Sequence, residues 1–127
     1  MTPSSRRRLG DFGERLALQH LKAHGYRIRD RNFRTREGEL DIVAERDSVL
    51  VFVEVRTRRG QAMGTAAESV TPAKQRRLIA LAQAYAQTHE DLPPQHRIDV
   101  ITLTLAPNGR LLALDHIQNA VPDSLLP

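Results

Sequence analysis

The spacing of apolar positions changes along this chain, and each change marks an element. From Gly10 to His24, Phe12, Leu16, Ala17, Leu18 and Leu21 recur at helical spacing, while Asp11, Arg15, Gln19 and Lys22 mark a polar side. Gly25 supplies a stop, so a helix is predicted over 10–24. Tyr26 to Arg34 then alternates and reads as a strand. Gly38 to Ala44 and Leu50 to Arg56 are rich in β-branched residues and too short for ordinary helices. They flank the polar stretch Glu45 to Val49 and predict a hairpin centred on Asp47-Ser48. Thr71-Pro72 is a helix start, with a capping hydroxyl and then a proline in the first turn. Leu78, Leu81, Ala82 and Tyr85 are the core stripe of that second helix, and Pro93-Pro94 ends the region. Arg97 to Leu105, the turn signal Asn108-Gly109, and Leu111 to Ile117 predict two closing strands. Thr57 to Val70 has no clear period and is expected to be a mobile loop beside the hairpin. Met1 to Leu9 is expected to be a flexible basic arm, and residues 10–127 a single domain.

The hairpin register sets Asp41 opposite Glu54 and Glu39 opposite Arg56. Residues two apart share a face, and opposed Cβ atoms lie about 5 Å apart. Glu39, Asp41, Glu54 and Arg56 then crowd one end of one face, continued by Val43, Leu50 and Phe52. Leu40, Ile42, Val51, Val53 and Val55 line the other face. A slip of one residue would separate Asp41 from Glu54. Two carboxylates this close repel each other unless a cation lies between them. An all-oxygen donor set suits a hard ion, Mg2+ or Mn2+. Such an ion can hold a phosphate oxygen and activate water for phosphodiester hydrolysis. The competing reading is an ordinary charged turn with Arg56 paired to Glu39. Glu14 projects between Leu18 and Leu21, where an acid needs a partner. That partner is either the metal or its water, or an arginine at the rim of the core.

Composition narrows the partners. The chain has 127 residues and a net charge of +4, with a pI near 10.3, which favours a polyanion: nucleic acid first, an anionic membrane surface second. Arginine carries nearly all the positive charge, since Lys22 and Lys74 are the only lysines. Arg27, Arg29 and Arg31 are expected to share a strand face, with Arg34 and Arg36 following in the turn. They form either a phosphate track or a solvated face. Lys74, Arg76 and Arg77 gather near the start of the second helix, the wrong end for cations. A bound phosphate would relieve that conflict. Arg58, in the expected loop, completes the candidate nucleic-acid-binding set. With 4% aromatic residues there is little to stack on bases, so backbone contacts to duplex or structured nucleic acid fit best. DNA is expected before RNA. The absence of cysteine excludes disulfides and cysteine-based zinc sites. No apolar run has bilayer length and no signal-peptide core follows Arg6-Arg7-Arg8, so a cytoplasmic protein without a membrane partner is expected. Asp99 interrupts an apolar strand, either as a member of the site or as a strand-end hydrogen-bond acceptor. His20 and His24 lack the intervening glutamate of a zincin helix and are read as incidental. The hairpin from Arg97 to Ile117 offers an edge through which a homodimer could pair.

Taken together, Gly10-x-x-Gly13-Glu14, Gly38-Glu39-Leu40-Asp41, Val51-Phe52-Val53-Glu54-Val55-Arg56, Lys74 and Arg97-x-Asp99-Val100 resemble the restriction-endonuclease-like PD-(D/E)XK superfamily. Within it the chain resembles the YraN family of uncharacterised bacterial proteins, and it is similar in plan to Holliday-junction resolvases. The resemblance implies an α/β fold: an α-β-β-β-α-β core whose mixed sheet is flanked by helices, with an extra C-terminal hairpin strand. It implies that Asp41 and Glu54 bind the metal, that the Val55 main-chain carbonyl completes the shell, and that Glu14 holds a second metal or a water. The position of Arg56 is usually lysine, which orients the attacking water and stabilises the charged transition state. Arg56 keeps the charge and can grip a phosphate oxygen, but it does not lose its proton at working pH. An electrostatic role is open to it; the role of a base is not. The implied function is a metal-dependent nuclease. The alternatives are a nucleic-acid-binding module without the chemistry, or an assembly subunit that pairs through an edge strand.

Overall fold

The strand from Val49 to Arg59 is buried on both faces from Leu50 to Glu54, and the other elements are arranged about it. The computed structural model describes residues 5–60 and 70–121. In chain order the elements are α1 (Ser5–Ala23), β1 (Arg27–Thr35), β2 (Gly38–Arg46), β3 (Val49–Arg59), α2 (Pro72–Thr88), β4 (Gln95–Leu105) and β5 (Leu111–Ile117). The strands form one sheet in the order β1-β2-β3-β4-β5. Every neighbouring pair is antiparallel except β3 and β4, which run parallel with α2 as the crossover. This is the mixed, helix-flanked α/β core expected from the sequence, with β5 as the added strand.

Each face of the sheet buries its own apolar cluster. On the α1 face, Ala17, Leu18 and Leu21 pack on Ile42, Ala44, Val51, Val53, Ile101 and Leu103. On the α2 face, Leu78, Leu81, Ala82 and Tyr85 pack on Val43, Leu50, Phe52, Ile98 and Val100. Successive β3 residues serve opposite clusters, which is why Leu50 to Val53 is an unbroken apolar run. Asp47 (φ 51°) and Ser48 (φ 62°) form the tight turn between β2 and β3. The ladder runs from Arg46↔Val49 to Ile42↔Val53, the register read from the sequence.

Four local expectations change. First, α1 begins at Ser5 rather than Gly10. Arginine and leucine are good helix formers, and one interior glycine costs only about 1 kcal/mol, so Gly10 does not mark the start. Met1 to Ser4 lie outside the described residues. Second, β3 continues through Thr57 and Arg58 to Arg59, paired along its length with β4 as far as Arg59↔Leu105, so Thr57 to Arg59 are strand rather than loop. Residues 61–69 of that loop lie outside the described residues. Third, the β1–β2 register shifts between Ile28 and Asp30. The extra residue sends later side chains to the other face, so Arg31 does not share a face with Arg27 and Arg29. Fourth, Leu40 joins the α2 cluster rather than lying beside Ile42.

Candidate metal centre

The main-chain ladder between β2 and β3 ends at Ile42↔Val53, one step short of Asp41 and Glu54. Continued regularly, it would carry the Val55 N–H to the carbonyl of Leu40. Instead the Asp41 carboxylate accepts that N–H at 2.7 Å, through Oδ2. The strands part here, which is also why Leu40 leaves its alternation. A strand residue turns its N–H and its carbonyl toward the same neighbour. The Val55 carbonyl therefore faces the opening beside Asp41.

Three glutamates act on Asp41 at the opening. Burial pushes the Asp41 carboxyl up to about 7; Glu54, Glu14 and Glu39 add to the shift, and the Val55 N–H opposes it. Glu54 is buried, at 7% exposure. Glu14 is raised by burial, and Arg31, with Nη2 3.4 Å from Oε1, draws it back. The arginine partner expected at the rim of the core is thus Arg31. Gly13 explains how α1 comes so close: a Cβ there would lie 1.8 Å from Thr57 Oγ1 on β3. Glu39 pairs with Arg34 at 3.0 Å, not with Arg56.

Cations stand on the α2 side of Glu54. Arg77 donates through Nη2 to Glu54 Oε1, and Arg56 Nη1 lies 3.9 Å from Oε2. Burial, together with the charges of Arg56 and Arg77, holds Lys74 below its ordinary range, so it belongs to the same cluster. Lys74 and Arg77 are three apart on α2 and therefore share a side of the helix. That spacing was the signal available in the sequence for their convergence; that Arg77 would meet Glu54 was not visible there.

The remaining candidates are spread more widely. Arg27 (2.6 Å) and Arg29 both pair with Glu45, near the turn end of β2. That is four residues from Asp41, roughly 13 Å along the strand. Arg36 is exposed in the β1–β2 turn. Arg58 lies on β3, its Nε donating to Thr104 Oγ1 at 3.2 Å. Asp99 is not grouped with Asp41; it lies inside β4 rather than at a strand end, and accepts from Arg97, His116 and the Asn119 N–H.

The donors suit a hard divalent ion: two carboxylates and one main-chain carbonyl, with water for the remaining positions. Among the described residues no three His, Asp or Glu side chains already stand close enough to hold a metal by themselves. The carbonyl and water are therefore part of any such shell.

The sequence profile of the uncharacterised protein family UPF0102 matches residues 13–103. A UPF0102 protein of Symbiobacterium thermophilum is 51% identical over 83% of this chain and 89% of its own length. Those of Roseiflexus castenholzii and Chloroflexus aurantiacus are 47% and 50% identical, each over 94% of this chain and 97% of its own length. The chain belongs to the uncharacterised protein family UPF0102. This is the family to which the YraN resemblance pointed. The matched segment of this UPF0102 chain contains Glu14, Asp41, Glu54, Arg56, Lys74 and Arg77. Among its described residues no helix is long and apolar enough to cross a membrane.

Proposed function

We propose that this UPF0102 protein is a metal-dependent nuclease acting on double-stranded or structured nucleic acid, DNA before RNA. One observation carries the reading: Asp41 is half-buried beside Glu54 where two strands part, and its carboxyl is pushed up to about 7. A carboxyl in that state calls for a cation. Mg2+ or Mn2+ would supply a bound water of lowered pKa and a Lewis acid for a phosphate oxygen. Asp41, Glu54 and the Val55 carbonyl would hold the ion, and Glu14 would orient a water. Lys74 and Arg77 would grip the phosphate, while Arg56 would offset charge that develops on it in the transition state. The net charge of +4 favours approach of a polyanion. Arg31, Arg34, Arg36 and Arg58 would extend the backbone contacts; Arg27 and Arg29 would add a more distant patch.

The test is Mn2+ calorimetry on the wild type and on an Asp41→Ala, Glu54→Ala double variant. Both are also incubated with labelled duplex, single-stranded and four-way-junction DNA, and with RNA. Metal-dependent cleavage that disappears in the double variant supports the nuclease. A wild type that takes up no metal, with or without duplex, sinks it.

A second reading has an observation of its own. Glu54 is held by Arg77, and Arg56 stands where the resembling superfamily usually carries lysine. A nucleic-acid-binding module that lacks hydrolysis would keep the cations and dispense with the metal. It would show salt-sensitive binding and no cleavage with any divalent ion.

A further inference from the structure

On the α1 face, apart from the carboxylate site, three imidazoles gather over a buried acid. Asp99 is fully buried, and Arg97 clamps it with Nε at 2.9 Å from Oδ1 and Nη2 at 3.0 Å from Oδ2. The Asn119 N–H adds a bond at 3.1 Å. So held, Asp99 is a carboxylate and can only accept. His116 Nε2, 2.8 Å from Asp99 Oδ2, is therefore the donor, and the Nδ1 of a neutral His116 keeps a lone pair. His20 Nε2 approaches that lone pair at 3.0 Å. His24 Nδ1 lies 2.7 Å from the carbonyl of His20 and must donate to it, which leaves a lone pair on His24 Nε2. The His20 ring centroid is 4.3 Å from that of His24 and 5.1 Å from that of His116.

We propose that His20, His24 and His116 form a second metal site, for a borderline ion of which Zn2+ is the first candidate, clipping α1 to β5. Imidazole nitrogens are the donors such ions prefer, and hard Mg2+ does not compete well for them. A metal-bound histidine ordinarily gives its other N–H to a carboxylate or a main-chain carbonyl, which sets its tautomer. His116 does the first, to Asp99, and His24 the second, to His20. The spacing of His20 and His24, four residues apart at the end of α1, lets both reach one ion. Zn–N bonds of about 2.0–2.1 Å put two nitrogens of a tetrahedral site about 3.3 Å apart. The 3.0 Å between His20 and His116 opens only slightly to reach that. No three such side chains already encircle one point among the described residues. The ion enters by replacing the hydrogen bond between His20 and His116. The His20 ring proton moves from Nε2 to Nδ1, and the exposed His24 ring turns in.

The test uses the full chain carrying Asp41→Ala and Glu54→Ala, so that the carboxylate site cannot answer for it. Zn2+ is titrated by calorimetry, and the imidazole nitrogens are followed by NMR. Expected are binding of one ion, shifts of His20 and His116 nitrogens, and a rise in melting temperature with Zn2+. His20→Ala and His24→Ala should each weaken binding at least about tenfold, as loss of a supporting group typically does. His24 is exposed, so His24→Ala keeps the fold and serves as the decisive variant if His20→Ala does not. Absence of Zn2+ binding in this background overturns the proposal. So does binding that both histidine variants leave unchanged.

Discussion

Arg77 reaches from α2 to donate to Glu54, one of the two carboxylates that the proposed cation needs. The two roles compete. A divalent ion at Glu54 releases Arg77, and a phosphate that takes Arg77 releases Glu54. Metal and nucleic acid should therefore help each other bind, by equal factors. Saturating duplex should tighten Mn2+ binding roughly fivefold or more. Arg77→Gln should tighten Mn2+ in the absence of duplex, weaken duplex binding, and abolish the coupling. Calorimetry under conditions where no cleavage occurs reads all three. Equal Mn2+ affinity in wild type and Arg77→Gln would discard the competition while leaving the metal site intact.

Asp41 should be a stability liability in the metal-free protein. Its folded pKa, about 7, lies above its ordinary 3.8. The folded state therefore holds a proton that the unfolded chain gives up. The stability this carries is full below about 3.8 and is lost as pH rises through 7. Asp41→Asn keeps an oxygen for the Val55 N–H and no longer titrates. Chemical denaturation at pH 8 without metal should find it more stable than wild type, by on the order of a few kcal/mol. Near pH 4 the gap should close. A variant less stable at both pH values would mean that the carboxylate serves the fold.

Arg56 tests the electrostatic assignment. If it stabilises charge on the phosphate, Arg56→Lys should retain metal-dependent cleavage. Arg56→Gln should lose roughly a hundredfold in kcat, the usual cost of one such donor. Single-turnover rates separate this from weakened binding. Equal rates in wild type and Arg56→Gln would remove Arg56 from the chemistry.

The contact that brings Glu14 to the site is also open to test. Gly13→Ala places a methyl where Thr57 Oγ1 stands, and overpacking of this kind costs about 1–3 kcal/mol. Thr57→Ala in the same chain should recover part of that loss. Urea denaturation of the two single variants and the double variant checks the coupling. Additive losses would place the damage elsewhere.

Much of the fold was legible because its signals are local. Thr71-Pro72 starts α2 and caps it, with Thr71 Oγ1 accepting the Lys74 N–H at 3.3 Å. The short turn at Asp47-Ser48 and the apolar runs beside it admit one register, and that register sets Asp41 and Glu54 one step past the last paired residues, Ile42 and Val53. The β1 arginines were harder. The shift after Ile28 leaves no mark in the alternation, and it separates Arg31 from Arg27 and Arg29.

By itself, then, the sequence determined the order of elements, the β2–β3 register and the placing of Asp41 and Glu54 just past its open end. Each follows from turn geometry and period within a few residues of chain. Only the tertiary structure decided which cation meets which carboxylate. The distance between Arg77 and Glu54, or between His20 and His116, depends on how a helix is seated on the sheet. That seating is settled by the packing of Leu78, Leu81 and Tyr85 on one face and Ala17 and Leu21 on the other. Side chains far apart in sequence become neighbours through the sum of such contacts, and no local pattern records that sum.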